Sequence, residues 1–202
     1  MKVEQPTRGH GALEGYLATR RARMANRLIP SDLRVGRLLD IGCGSYPYFL
    51  ANTQFAEKWG VDQLFDSEAR LQLADGHVGL LPFDAQRDAT LPFPDNHFSV
   101  VTMLAVFEHI ATDELGLLLA QVLRVLKPGG IYVATTPAFW TDRLLKTLAA
   151  IRILSSAEIN EHKGIYRHAH IARALSDAGF EAGALRQGYF ELFMNTWTVA
   201  GK

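Results

Sequence analysis

Residues 37–45 read RLLDIGCGS and decide the fold. The first five residues are mostly apolar and predict a short buried strand at 37–41. Gly42 and Gly44 follow at once, and glycine lets a backbone turn sharply and approach a ligand closely. A helix is expected after Pro47, with its amino end facing the same ligand. Strand, glycine loop and helix in this order are typical of a nucleotide-binding unit.

Apolar segments alternate with helical ones on both sides of this loop. Further strands are predicted at 59–62, near Leu80, at 98–104 and at 131–136, with a terminal strand pair at 180–186 and 195–200. Helices are predicted at 13–29, 68–73, 115–126 and 171–178. Because parallel strands need crossover connections, this order predicts an α/β fold: a doubly wound, mostly parallel sheet with helices on both faces.

The 202 residues are expected to form a single domain, which is the usual outcome for this length. Residues 1–35 are expected to add a helical cap at the amino end. Residues 137–170 interrupt the strand–helix rhythm and are expected to form a helical insertion on the substrate side, since compact domains usually reserve such insertions for function.

The charge balance and the lengths of the apolar runs exclude several classes of protein. Lys plus Arg and Asp plus Glu are 21 each, so the formal net charge is zero and offers nucleic acid no broad basic field. The longest uncharged apolar run, 100–107, is too short to span a bilayer, and the first residues lack the apolar core of a signal peptide. We therefore expect a soluble, cytoplasmic protein without a transmembrane segment or a nucleic-acid partner. The sequence leaves its oligomeric state open.

An acidic residue, Asp62, ends the second predicted strand, 18 positions after Gly44. A carboxylate at about this spacing can accept hydrogen bonds from ribose hydroxyls. The alternative is that the glycines make only a tight turn and that Asp62 caps a strand. Pro47 interrupts the G-x-G-x-x-G pattern of dinucleotide enzymes, and Asp40 would repel a pyrophosphate, so a ligand with a cationic group fits better.

The chain resembles the class I S-adenosylmethionine-dependent methyltransferases in five segments. They are LLDIGCG at 38–44, Asp62, DATLPFPD at 88–95, FSVVTMLAVFEHI at 98–110 and LRVLKPGG at 123–130. The resemblance implies a Rossmann-like methyltransferase fold with a seven-stranded sheet. It also implies S-adenosylmethionine as cofactor and methyl transfer to a small-molecule acceptor at N, O or C.

The resemblance also implies roles for eight residues. They are Asp40, Gly42 and Gly44 at the methionine moiety, Asp62 at the ribose hydroxyls, Asp88 and Ala89 at the adenine, and Met103 and Leu104 at the cofactor's amino group and ring. The sequence departs from the family pattern at Tyr46, where a third glycine is usual, and at Ser99, where an aspartate is usual.

Methyl transfer needs alignment above all, and a general base matters when the acceptor is a hydroxyl. The candidate catalytic residues are His109, His162 and Tyr166. Alternatively, His109 orders the loop after the fourth strand, and the EHKGIYRH segment at 161–168 is a solvated loop. No metal is expected, because the histidines of this segment have no matching carboxylate or cysteine set.

Two features bear on the acceptor. Arg20, Arg21, Arg23 and Arg27 form a basic face on the first helix, which is either solvated or a clamp for an acidic substrate. The apolar positions between 139 and 153 predict core, a lid or a contact for an apolar acceptor. A DNA methylase is disfavoured, since LAVFEH at 104–109 replaces the Asn/Asp-Pro-Pro-Tyr motif. The competing functions are a non-catalytic S-adenosylmethionine-binding module and a nicotinamide-dependent oxidoreductase.

Overall fold

A computed structural model describes residues 14–63, 78–85, 87–141 and 167–202. Within them, seven strands form one sheet. The strands are β1 (Arg37–Ile41), β2 (Glu57–Asp62), β3 (Val78–Pro82), β4 (Phe98–Leu104), β5 (Leu126–Pro137), β6 (Leu185–Phe190) and β7 (Asn195–Gly201). Their order is β3-β2-β1-β4-β5-β7-β6. Among these seven strands, β7 alone runs in the direction opposite to the others.

Four α-helices connect or flank these strands in the described residues. They are α1 (Glu14–Leu28), α2 (Tyr48–Ala51), α3 (Thr112–Val125) and α4 (His168–Asp177). Single 3-10 turns lie at Ser31–Val35, Phe107–His109 and Ala182–Ala184. Pro30 lies two residues after Leu28, the last residue of α1, and Gly179, with φ of +101°, lies two residues after Asp177, the last residue of α4. Both residues stop the helices at the positions that the sequence predicts.

The sheet buries both of its faces, and successive strand residues alternate between two apolar layers. Leu38 and Val100 pack with α1 and α2, whereas Leu39 and Val101 pack with α3 and α4. This period of two is what a strand covered on both sides requires. The expected doubly wound, mostly parallel α/β fold is confirmed.

Most predicted elements match the structure, and the differences have local causes. The first strand of the terminal pair begins at Leu185 rather than at residue 180, because residues 182–184 form a 3-10 turn. The helix after Pro47 is a single turn, Tyr48–Ala51. The strand predicted at 131–136 begins earlier, at Leu126, which pairs with Phe98 before the register shifts. The helix predicted at 68–73 lies outside the described residues, as does most of the 137–170 insertion.

In the part of the chain that the structure describes, no helix combines the length and apolar character needed to cross a membrane.

Two glycines give opposite predictions for the same substitution. A Cβ at Gly60 on β2 would lie 2.8 Å from each of Cys43 Sγ, Leu50 Cδ1 and Leu80 Cδ2. Gly60→Ala should therefore lower the free energy of unfolding by about 1–3 kcal/mol through overpacking. Gly116 lies in α3 with no described atom within 4 Å of such a Cβ. There the same change should raise stability by about 0.5–1 kcal/mol.

Urea denaturation of the two variants and the parent chain tests this pair. Equal effects at both positions would mean that the packing around β2 is looser than described.

Candidate functional site

The carboxyl ends of the parallel strands lie along one edge of the sheet, and the candidate residues collect there. β1 lies between β2 and β4. After β1 the chain forms β2 and β3 on one side of it, and the chain then crosses back to form β4 and the later strands on the other side. In open α/β sheets ligands bind at such a switch point, outside the carboxyl ends of the strands. The glycine loop after β1, Asp62 at the end of β2 and Leu104 at the end of β4 all lie at this edge.

The glycine loop has a backbone that only glycine adopts without strain. Gly42 and Gly44 have φ of +72° and +79°, in the left-handed region. A Cβ on Gly42 would lie 2.5 Å from Val106 Cγ2, so the loop packs tightly against the segment after β4. Around Gly44 the nearest described atom beyond its neighbours is the Tyr46 carbonyl oxygen, 3.9 Å from the position of a Cβ. The loop is thus closed on one side and open at Gly44.

Asp62 holds this loop in place. The Gly44 amide donates a hydrogen bond of 2.9 Å to Asp62 Oδ2, and the Gly42 amide donates one of 2.8 Å to the Val61 carbonyl. The Asp62 side chain is buried. The loop after β1 and the acid at the end of β2 therefore form one unit, which places a carboxylate beside the open side of Gly44.

Asp40 is a second buried acid, directly beneath the loop. Thr102 on β4 donates a hydrogen bond of 2.6 Å to Asp40 Oδ1, and the two residues are paired in the sheet. Burial raises the pKa of the Asp40 carboxyl to about 7; the Thr102 hydrogen bond opposes this shift, and the charge of Asp62 adds to it. A cationic group bound at this position would favour the charged form of Asp40.

Asp88 and Ala89, which are expected at the adenine, are exposed in the segment after β3. Asp84 comes two residues after β3, and its side chain is 22% exposed. Its amide donates a hydrogen bond of 2.7 Å to Asp88 Oδ2, and the adjacent Phe83 amide bonds to the Asp62 carbonyl at 3.0 Å. The structure therefore puts Asp84 next to the end of β2. Asp88 closes the turn after it.

The sequence also contains a signal for Asp84, because the segment after β3 carries two copies of Asp-Ala, at 84–85 and at 88–89. The family-like segment favoured the second copy.

Met103 and Leu104 end β4 in different environments. The Met103 side chain is fully buried, and its sulfur accepts a hydrogen bond of 3.2 Å from the Tyr132 hydroxyl. The contact that the resemblance implies for Met103 would therefore come from its backbone. Leu104 is only partly buried, and it packs against the apolar layer that contains Leu50.

His109 lies in the 3-10 turn Phe107–His109 after β4, at the same edge, and is partly buried. The preceding residue, Glu108, is buried and accepts a hydrogen bond of 3.0 Å from Thr136 Oγ1 at the end of β5. Sequence reasoning did not single out Glu108. His162 and Tyr166 lie outside the described residues. The described residues contain no cluster of three His, Cys, Asp or Glu side chains that could hold a metal ion.

The two departures from the family pattern have different settings. Tyr46 is partly buried, and its carbonyl accepts a hydrogen bond of 2.8 Å from the Tyr48 amide. Ser99 is near the start of β4, where its side chain fills the space that a Cβ on Gly36 would take. Ser99 therefore contributes to packing at the end of the sheet opposite the site.

Helix α1 and the turn between β6 and β7 meet at the carboxyl edge of the sheet. Thr19 Oγ1 lies 3.1 Å from the Tyr48 hydroxyl next to the glycine loop. One residue further along α1, Arg20 Nε donates a hydrogen bond of 3.2 Å to Glu191 Oε1 in the turn. Asn195 Nδ2 donates to Glu191 Oε2 at 2.6 Å. These contacts bring the amino-terminal half of α1 to the carboxyl edge of the sheet.

A family model described as a methyltransferase domain matches residues 12–184. The chain belongs to the methyltransferase domain family. S-adenosylmethionine is the cofactor of this family, and the nicotinamide alternative is set aside.

Two relatives illustrate the likeness of this chain to known methyltransferases at the level of sequence. The ubiquinone/menaquinone biosynthesis C-methyltransferase UbiE of Ectopseudomonas mendocina is 41% identical over 73 residues, which are 36% of this chain and 25% of the relative. The phthiotriol/phenolphthiotriol dimycocerosates methyltransferase 1 of Mycobacterium ulcerans is 32% identical over 162 residues, 75% of this chain and 58% of the relative. The matched part of this chain thus spans a quarter to somewhat over half of the length of these relatives.

The solved structure of an S-adenosylmethionine-dependent methyltransferase from Mesorhizobium loti has the same fold. It superposes with a TM-score of 0.67 at 17% identity and covers 92% of this chain and 100% of that one. At 17% identity, this similarity shows that the two proteins share a fold.

The raised pKa of Asp40 predicts a pH-dependent cost to the free protein. The folded state keeps its proton up to about pH 7 and the unfolded chain only to about 3.8, so the folded state binds the extra proton between these values. The contribution of Asp40 to stability therefore falls as pH rises through this window. The slope is about 1.4 kcal/mol per pH unit at pH values where Asp40 is protonated in the folded state and ionised in the unfolded state.

Asp40→Asn removes this titration and keeps an acceptor for Thr102. Urea denaturation of both proteins at several pH values should show the variant gaining stability relative to the parent from pH 4 to pH 7. A constant difference would contradict the raised pKa.

Proposed function

We propose that this protein transfers the methyl group of S-adenosylmethionine to an apolar small-molecule acceptor. The observation that carries the proposal is the unit made by Gly44 and Asp62 at the switch point, with buried Asp40 beneath it. A sulfonium cofactor with an ammonium group and a ribose matches such a site, since carboxylates accept from ammonium and hydroxyl donors.

The residues present fit this cofactor. The backbone of Gly42 and Gly44 would hold the methionine moiety, Asp40 would balance its ammonium charge, and Asp62 would accept from the ribose hydroxyls. Asp84 and Asp88 are the two candidates for the adenine amino group, and the position of Asp84 beside the end of β2 favours it. When bound, S-adenosylmethionine supplies an electrophilic methyl group on a positively charged sulfur.

The names of the two relatives support an apolar acceptor. One is a C-methyltransferase of ubiquinone and menaquinone biosynthesis, and the other is a methyltransferase of phthiotriol dimycocerosates. We infer an acceptor of comparable apolar character, methylated at oxygen or carbon. The second candidate is an acidic acceptor, which the arginines of α1 favour.

His109 is our candidate for the group that removes the acceptor's proton. It stands at the carboxyl end of β4, on the same edge as the glycine loop. An imidazole titrates near neutral pH and can hold the proton that an oxygen or carbon acceptor loses as its new bond to the methyl group forms. His162 and Tyr166 remain candidates for the same role.

Replacing Asp62 tests the cofactor site. Asp62→Ala removes the acceptor of the Gly44 amide and the proposed ribose contact, so affinity for S-adenosylmethionine should fall by about 1–3 kcal/mol, roughly 5- to 150-fold. Asp62→Asn keeps an oxygen for Gly44 and should lose less. Isothermal titration calorimetry of the three proteins gives the affinities. Equal affinity in all three would place the ribose elsewhere.

Replacing His109 tests the proposed base. With S-adenosylmethionine carrying a radiolabelled methyl group, phenol, quinol and amine acceptors are assayed for label transfer. For an accepted phenol or quinol, His109→Gln should lower kcat by about 100-fold or more. The KM for S-adenosylmethionine should stay unchanged. A variant with full kcat would exclude His109 as the base.

The same assay separates the enzyme from a non-catalytic binding module. Tight binding of S-adenosylmethionine, without label transfer to any acceptor class, would favour the module.

A further inference from the structure

The turn between β6 and β7 presents apolar side chains to solvent. Leu192 is 88% exposed and Phe193 is 65% exposed. Glu191, Leu192 and Phe193 have φ of +52°, +54° and +67°, so three successive residues with side chains adopt the left-handed conformation. Each such residue costs roughly 1–2 kcal/mol. A turn that keeps this cost while exposing two large apolar side chains is unusual unless those side chains contact something.

Further exposed apolar residues surround this turn. Among the described residues, seven large hydrophobic side chains are exposed, and five of them lie at the carboxyl edge of the sheet. The five are Tyr16, Trp140, Tyr189, Leu192 and Phe193, which we call the apolar rim. Tyr189 and Phe193 have ring centroids 5.6 Å apart. The other two exposed side chains lie outside the apolar rim, Val35 in the 3-10 turn Ser31–Val35 and Leu117 on α3.

Backbone and side-chain contacts connect the parts of the apolar rim. The Ala138 amide donates a hydrogen bond of 2.8 Å to the Met194 carbonyl, which ties the segment that carries Trp140 to the β6–β7 turn. The ion pair between Arg20 and Glu191, at 3.2 Å, ties α1 to the same turn. Tyr16 is one helical turn before Arg20 on α1.

Helix α1 continues the apolar rim with a stripe of positive charge. Its buried face carries Ala22, Ala25 and the following Ile29. The opposite face carries Tyr16, Arg20, Arg23 and Arg27 at spacings of four, three and four, which align along one side of a helix. Arg23 and Arg27 are exposed. The zero net charge of the whole chain therefore coexists with a local basic stripe.

We propose that this edge docks on the surface of an anionic lipid bilayer. Leu192 and Phe193 insert among the acyl chains just below the headgroups, and Tyr16, Trp140 and Tyr189 lie at headgroup level. The exposed charges of Arg23 and Arg27 attract the lipid phosphates. Aromatic residues favour this interface, and arginine side chains adjoining an apolar surface bind anionic headgroups. Docking of this kind is peripheral and needs no membrane-spanning helix.

The basic stripe argues against a second copy of the chain as the occupant. A twofold symmetric dimer brings each surface against itself or its close neighbours. A dimer through the apolar rim would bring uncharged side chains together, and the five residues of the rim offer the basic stripe no negative charge. An anionic bilayer offers the opposite charge instead.

Vesicle flotation with the full chain tests the proposal. The vesicles contain either phosphatidylcholine alone or phosphatidylcholine with roughly one third phosphatidylglycerol. The parent chain should float mainly with the anionic vesicles. Leu192→Asn with Phe193→Asn should lower partitioning into them by at least about tenfold, because the inserted apolar area is lost. Asparagine tolerates the left-handed conformation, so this variant should melt no lower than the parent.

Two further variants separate charge from apolar contact. Arg23→Gln with Arg27→Gln should lower partitioning into anionic vesicles by about fivefold per arginine and leave the weak binding to neutral vesicles unchanged. The matched control is Leu117→Gln, which removes a leucine that is 71% exposed on α3. It should float like the parent.

Three results would overturn the proposal. One is the absence of the parent chain from anionic vesicles, and another is an equal loss in the Leu117 control. The third is a dimer, measured by light scattering without lipid, that the double asparagine variant converts to a monomer. Calorimetry with S-adenosylmethionine on the same proteins keeps docking separate from the proposed function, because the apolar rim variants should bind the cofactor like the parent.

Discussion

The hydrogen bond from the Gly44 amide to Asp62 is the contact on which the site depends. It joins the loop after β1 to the end of β2, so two strands fix one small element. The loop can adopt its left-handed backbone because residues 42 and 44 are glycines, and Val106 leaves no room for a side chain at position 42. Without an acceptor at the end of β2, the Gly44 amide would lose its partner at an otherwise open point of the loop.

The acids of the site are stabilised by different means, and this difference gives them different chemistry. Asp62 accepts a backbone hydrogen bond from the Gly44 amide. Asp40 has a single hydroxyl donor, and burial raises the pKa of its carboxyl to about 7. The free protein therefore carries an acid whose charge is costly until a cation is bound nearby. The same cost makes the position selective for a ligand with a positive group over one with a pyrophosphate.

The sequence predicts the centre of the sheet well and its periphery less well. β1 and β4 have the predicted bounds, because β1 is an apolar segment that ends at a glycine loop and β4 is a continuous apolar run. The adenine contact is predicted at Asp88 and Ala89 from the resemblance, and the structure shows a second carboxylate nearby, that of Asp84, two residues after β3. Glu108 and the turn at Glu191 were not predicted. Their roles come from contacts with Thr136 and Arg20, which are distant in sequence and carry no local pattern.

The turn at Glu191 also explains how the site and the apolar rim share one support. The Glu191 side chain is almost fully buried, and its two oxygens bind Arg20 and Asn195. The ion pair is partly shielded from water, so it is screened less than a surface pair. It fixes α1 against the turn at the same helical level at which Thr19 contacts Tyr48 beside the glycine loop. A movement of the turn would therefore displace α1, and through α1 it would reach the loop that we propose holds the cofactor.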